Sequence, residues 1–247
     1  MSGYHSFADF YDILMSDVDY IARTEYLLKL FKKHGKVPTL MLDVACGTGA
    51  FSNLFSQKGI EVIGVDASEE MLGIARENSA FLQTDVLYLC QKAEELDLYG
   101  TVDGAICCLD SVNHITDIKK LKTAFEKISL FMEKDSLFIF DVNTPYKHTD
   151  ILADNTFVIE EENIFCVWQN EYNKSKAVTD ICLDFFVKDG EIYNRYSDSF
   201  SERAYSFEKL EEMLAAAGLE VQAIYEDMKY SPCPENAERA VFVAKKI

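Results

Sequence analysis

Two stretches of this chain combine residue types whose spacing could do chemistry. In the first, Asp43 stands four residues before Gly47, Gly49 follows, and Asp66 closes the next apolar run. Glycine has no Cβ, so such a turn takes positive φ and lets a ligand lie against bare backbone, while the helix behind it presents free N–H groups. A carboxylate ending the following strand can accept both hydroxyls of a ribose held over the turn. In the second stretch, Asp110-Ser-Val-Asn-His114 ends a long apolar run. An imidazole there has the intrinsic pKa to take a proton from an incoming nucleophile, or to orient it. The plain alternative is a packed structural histidine and an ordinary glycine turn.

Those residues need elements that bring them to one edge. Leu40, Met41, Leu42 and Val44 suit a strand buried on both faces, and Phe51, Leu54 and Phe55 mark a helix that Gly59 stops. Residues 60–65 read as a second strand ending at Asp66. Ser68 caps a helix with Met71, Leu72 and Ala75 on its buried stripe. A third strand is expected over 80–86, with Asp85 at its end and a helix containing Leu89 and Cys90 beyond it. Residues 102–109 form a fourth strand, 117–131 a helix with Leu121, Ala124, Phe125, Ile128 and Phe131 inward, and 136–141 a fifth strand. This alternation predicts an α/β fold on a mostly parallel sheet. Ahead of it, Phe7, Phe10, Tyr11, Leu14 and Met15 fall at helical spacing, and a second helix is expected over 20–34.

Between residues 146 and 201 the pattern changes to two-residue alternation rich in aromatics. Strands are expected over 157–162, 165–172, 178–187 and 191–200, with Asp189-Gly190 as a hairpin turn. This antiparallel β insertion reads as a substrate lid or as a dimerisation sheet. Trp168, Gln169, Tyr193 and Arg195 are candidates for its wall. A helix over 207–217 and strands over 219–227 and 240–245 complete the chain.

The run Asp43-x-x-x-Gly47-x-Gly49 resembles motif I of the class I S-adenosylmethionine-dependent methyltransferases, with Ala45 where that family usually carries a further glycine. The post-strand-four loop with His114 is similar to that of amino-sugar N,N-dimethyltransferases and of glycine and sarcosine methyltransferases. The final helix and strand pair also resemble the family, and small stand-alone bacterial members carry a comparable insertion. The resemblance implies a Rossmann-like, seven-stranded sheet ordered 3-2-1-4-5-7-6 with strand 7 antiparallel, over residues 1–145 and 202–247. It implies S-adenosyl-L-methionine held by Asp43, Ala45, Cys46, Gly47, Gly49, Asp66, Ala67, Met71, Asp85, Val86, Leu109 and Asp110. Met71 would pack on adenine and Asp85 would accept from its amino group. Tyr11, or else Tyr20, would face the active site, and His114 would meet the acceptor.

Composition narrows the classes further. A net charge of −18 spread along 247 residues opposes binding to nucleic acid or anionic membranes, and 49% hydrophobic residues allow a sizeable core. The 7 cysteines show no paired metal spacing, so no metal is expected, and they fit a reducing, cytoplasmic setting. The reading is a methyltransferase acting on a small-molecule amine or hydroxyl by direct in-line transfer, as a monomer or homodimer. Two alternatives stand beside it: a nicotinamide-dependent oxidoreductase, disfavoured because Ser52 occupies the third glycine position of the dinucleotide pattern, and a non-catalytic S-adenosylmethionine-binding protein.

Overall fold

The computed structural model describes residues 15 and 17–247. Helix α1 (Tyr20–His34) starts at Asp19, whose carboxylate accepts the Ala22 N–H. Its last turn carries Lys32, Lys33 and His34, cations placed against the free carbonyls of the helix end. The chain then folds as β1 (Leu40–Val44), α2 (Ala50–Gln57), β2 (Glu61–Asp66), α3 (Glu69–Leu82), β3 (Val86–Cys90) and β4 (Val102–Cys107). A short α4 (Ser111–His114), α5 (Ile118–Leu130) and β5 (Met132–Asn143) follow.

A π-helical turn, Lys147–Leu152, leads into β6 (Thr156–Glu161), β7 (Ile164–Asn173), β8 (Val178–Asp189) and β9 (Ile192–Arg203). Helix α6 (Phe207–Ala216), β10 (Leu219–Glu226) and β11 (Arg239–Lys246) close the chain. The main sheet has seven strands in the order β3-β2-β1-β4-β5-β11-β10, with β11 antiparallel to both neighbours. With the four inserted strands set aside, this is the order the resemblance implies.

Alternating side chains divide the core between the two faces. Leu42, Val44, Phe138, Phe140 and Phe242 pack under α5 and α6, against Phe125, Ile128, Leu210 and Leu214. Met41, Val62, Ile106, Ile139 and Val243 pack under α1 and α2, against Leu30, Phe31, Phe51 and Phe55. Because β1, β2 and β4 run parallel in register, Val44, Asp66 and Cys107 end at one edge of the sheet. That edge carries the ligand-facing loops of such folds.

One expected strand is displaced. Residues 80–82 are the last turn of α3, which ends at Gln83 in the left-handed conformation, and the strand is Val86–Cys90. Asp85 and Val86 therefore lie at the amino end of β3, remote from the carboxyl edge, and Asp85 is exposed. The expected helix at Leu89 and Cys90 is this strand. The inserted strands form a separate antiparallel meander, β6-β7-β8-β9, around Cys166, Ile181, Leu183 and Phe185. Gly190 turns its last hairpin at φ +62°.

Candidate active site

The turn after β1 is built from left-handed residues: Ala45 at φ +56°, Gly47 at +54° and Gly49 at +77°. A Cβ on Gly49 would lie 2.3 Å from the Tyr88 hydroxyl, so the turn closes only on glycine there. Asp66 is clamped beneath it, with Oδ2 accepting the Gly47 N–H and Oδ1 the Ser68 N–H, each at 2.9 Å. A carboxylate has about four acceptor positions, so one on each oxygen stays available to a pair of vicinal hydroxyls.

A cavity of about 520 Å³ opens beside Asp66, lined also by Ala45, Ala67, Gln91, Ile115 and His114. Gln91 stands at the true carboxyl end of β3, held through its N–H to the Asp66 carbonyl. Met71 is half-buried in the first turn of α3 and does not line this cavity. Asp43 is 1% exposed. It accepts the Ser52 hydroxyl at 2.6 Å, and burial raises its pKa to about 7. Together with Cys46 and Tyr20 it lines a narrow neighbouring cleft.

A second cavity, about 530 Å³, lies where the two sheets meet. Leu109, Asp110 and Asn143 come from the main sheet's edge, and Ile159, Trp168, Leu183, Phe200 and Glu202 from the meander. Leu109 and Asp110 are consecutive left-handed residues, at φ +56° and +53°. Such a pair without glycine is strained and persists only when its surroundings fix it. Asp141 supplies that fixing, accepting both N–H groups at 2.8 Å. Arg239 ties the group together, pairing with Asp110 at 2.6 Å and with Asp141. Although burial pushes the Asp110 pKa up, the Arg239 charge outweighs it and holds the carboxyl well below its usual range.

His114 lines both cavities. Its Nε2 lies 3.9 Å from Asp110 Oδ2 and 3.7 Å from Glu202 Oε1, and its ring rests on Phe200 at 4.9 Å. The side chain keeps 43% of its surface open. The protein packed around it lowers its pKa, against the pull of Asp110, so the ring is neutral near pH 7 and able to accept a proton.

Glu202, on β9, escaped the sequence reading; nothing local marks it, since it joins the site only when β9 pairs with β8. It is 3% exposed and takes a hydrogen bond from Asn143 Nδ2 at 3.0 Å. Burial first, then the Asp110 charge, raise its pKa to about 8. His148, fully buried, stands behind it at 3.8 Å and bonds Thr179 through Nδ1. Of the expected wall residues, Trp168 lines the cavity. Gln169 is exposed, Tyr193 borders a groove on the outer side of the meander, and Arg195 is engaged with Asp184. Tyr11 lies outside the described residues.

This strand order, with a glycine turn over a clamped carboxylate, defines the class I S-adenosylmethionine-dependent methyltransferases, and the chain belongs to that family. The methyltransferase domain family matches residues 41–135. The chain is 30% identical over 244 residues to "Putative methyltransferase YqeM" of Bacillus subtilis (strain 168), covering 98% of this chain and 97% of that protein. A crystal structure of an S-adenosylmethionine-dependent methyltransferase from Clostridium acetobutylicum superposes with a TM-score of 0.90 at 30% identity, covering 97% of each chain. CalS10, an amino pentose methyltransferase from Micromonospora echinaspora, shares the fold at 18% identity, with a TM-score of 0.79 over 100% of this chain and 99% of that one.

The protein is thus a methyltransferase enzyme that uses S-adenosyl-L-methionine, which sets aside the nicotinamide and non-catalytic alternatives. Ser52, at the third glycine position of the dinucleotide pattern, is buried as the partner of Asp43. No helix among the described residues is long and apolar enough to cross a membrane.

Proposed function

We propose that the protein methylates a small-molecule acceptor, an amine or hydroxyl, by direct in-line transfer, and that residues 146–201 form a lid over the acceptor. The observation that carries this reading is His114, shared by the cavity beside Asp66 and the cavity under the meander. A group bound in each would meet at its imidazole. S-adenosyl-L-methionine, when bound, supplies a methyl group on a sulfonium that is already a good leaving group.

The chain's own residues do the rest. Asp66, with the Ala45–Gly49 turn, holds the ribose, and Ala67 and Gln91 border the adenosine side. Leu109 and Asp110 present the strained turn between the two cavities. His114 orients the acceptor lone pair and keeps it free of competing donors, and Trp168 and Phe200 cover it from water. Alignment of this kind is worth several orders of magnitude in rate. The amino-sugar substrate of a structural relative with the same fold is consistent with a small polar acceptor.

The test pairs calorimetry with S-adenosylhomocysteine and a methyl-transfer assay over a panel of small amines and alcohols. Saturable cofactor binding with turnover on one acceptor class is expected. Binding without turnover on any small acceptor, or turnover only on a macromolecule, would overturn the reading.

A further inference from the structure

We propose that Glu202 accepts the proton of a cationic amine, so that the acceptor is an alkylammonium compound and not an alcohol. This rests on the reading of the cavity between the sheets as the acceptor site. Three acceptor-bearing side chains line that space from two segments, Asp110 and His114 from the turn after β4 and Glu202 from β9, and their carboxylate and imidazole atoms lie within 4.8 Å of one another. With the His114 ring neutral and its proton on Nδ1, and with Glu202 ionised by the arriving cation, all three are acceptors. Glu202 Oε1 has no hydrogen bond among the described residues, and Asn143 Oδ1 is buried without a partner there. An ammonium brings three N–H donors to such a constellation, a hydroxyl only one.

The spacing fits an ammonium as well as a metal ion, and the manganese arm of the experiment below distinguishes them. The carboxylate and imidazole atoms lie 3.7 and 3.9 Å apart where paired, and all three fall within 4.8 Å of one another. Donors at about 2.8 Å from a tetrahedral nitrogen hold acceptors roughly 4.6 Å apart. Adjacent ligands of a small divalent ion at about 2.1 Å would sit roughly 3.0 Å apart in octahedral and about 3.4 Å in tetrahedral geometry, so the paired distances fall between the two cases.

The charges facing Glu202 leave the task to it. Asp110, on the turn after β4, is engaged by Arg239 of β11. Lys147, on the π-helical turn, makes no ion pair among the described residues, and burial lowers its pKa. His148 is neutral, with burial lowering its pKa to about 4. Glu202 alone combines burial, a free oxygen and a raised pKa of about 8, which brings its basicity near that of an amine.

The step balances as follows. Near pH 7 Glu202 holds its own proton and loses it to solvent as the ammonium binds beside it. The ammonium N–H bond then breaks and its proton passes to the ionised Glu202 Oε1, leaving a neutral amine and a carboxylic acid. The amine lone pair forms the N–CH₃ bond as the C–S bond breaks, giving a methylated ammonium and a neutral thioether. Glu202 keeps its new proton as product leaves, which restores the resting site.

The experiment uses the full chain loaded with S-adenosylhomocysteine, with n-butylamine and n-butanol as millimolar probes and calorimetry in two buffers of different ionisation heat. Near pH 7 the wild type is expected to bind the amine with release of close to one proton and to ignore the alcohol. Glu202→Gln, which keeps the size and the Asn143 contact, should lose that proton release. It should also methylate butylamine about 100-fold more slowly or worse, with Glu202→Asp recovering part of the rate. Circular dichroism checks that both variants fold.

Equal binding of alcohol and amine, binding of neither, or unchanged proton release in Glu202→Gln would overturn the proposal. So would a manganese ion bound by chelator-dialysed protein and lost in Glu202→Gln. Methyl transfer to butanol and not butylamine sinks this inference alone; absence of S-adenosylhomocysteine binding sinks the reading beneath it.

Discussion

Asp66 spends one acceptor position on each oxygen to brace its own loop, and the remaining pair faces the cavity. Asp66→Ala is therefore expected to weaken S-adenosylmethionine binding by about 1.5 to 3 kcal/mol, the usual cost of charged hydrogen bonds. Calorimetry checks this, and unchanged affinity would remove Asp66 from the ribose. His114→Ala should leave that affinity within about threefold, since the ring takes no part in the ribose contacts assigned to Asp66, while turnover falls by roughly 100-fold from lost alignment. With Glu202 as the proton acceptor, the His114→Ala deficit should persist at every pH; rescue at high pH would make His114 the base instead. The sequence candidates that the fold brings to one edge, Asp66, the glycines and His114, are those whose signal is local. Arg239 and Asp110 meet across 129 residues, and Glu202 and Asn143 come from different sheets, so their convergence exists only once the chain has folded.

At the scale of elements, the error over β3 has a definite cause. Phe81 and Leu82 look like strand residues because they are apolar, yet both stand on the exposed last turn of α3, 87% and 43% accessible. Gln83 then stops the helix in a left-handed conformation with no glycine to announce it, and the strand begins where a helix was expected. The seam between the sheets carries a pH dependence of its own. Burial depresses the His148 pKa to about 4 from its ordinary 6.5, so the unfolded chain takes up its proton first as pH falls. The stability this histidine contributes is present above 6.5 and is lost on descending through about 4, a swing of up to about 3 kcal/mol. In urea titrations the stability advantage of the wild type over His148→Asn should shrink from pH 7 to pH 4.5, a difference in which the contributions of other groups cancel. Glu202 has the opposite sign: with its pKa raised to about 8 from 4.5, the stability it contributes is lost as pH rises through that window. Replacing residues 156–201 with a short Gly/Ser linker should keep cofactor binding and abolish turnover; loss of binding in a folded truncation would make the meander part of the main core.

Taken whole, the molecule carries a net charge of −18 and presents its acidic groups to two incoming cations, the sulfonium donor and the proposed ammonium acceptor. Such a field speeds their arrival and is screened by salt, with a Debye length of about 10 Å at 0.1 M falling to 3 Å at 1 M. The kcat/KM for an amine acceptor should fall across that range with kcat nearly constant; a flat response would mean that the overall charge plays no part. The strand order was legible through the resemblance alone, since apolar runs mark which strands are buried and not which neighbours they take. The meander's place over the sheet edge was likewise expected from the resemblance, because two-residue alternation says which face is inward and nothing about what that face meets.

The strand β9 ends with Phe200 and Glu202 on one wall of the same cavity, two residues apart. The apolar covering, Ile159, Trp168, Leu183 and Phe200, falls inside residues 156–201, while Glu202 falls just outside and is gripped by Asn143 of the main sheet. A lineage exchanging that cassette with a relative would inherit a new contour for its acceptor while retaining its own proton-handling carboxylate. Chimeras joined between Ser201 and Glu202 should accordingly change which amine is methylated and leave the reaction itself intact, whereas a junction moved past Arg203 would put both at risk in one event.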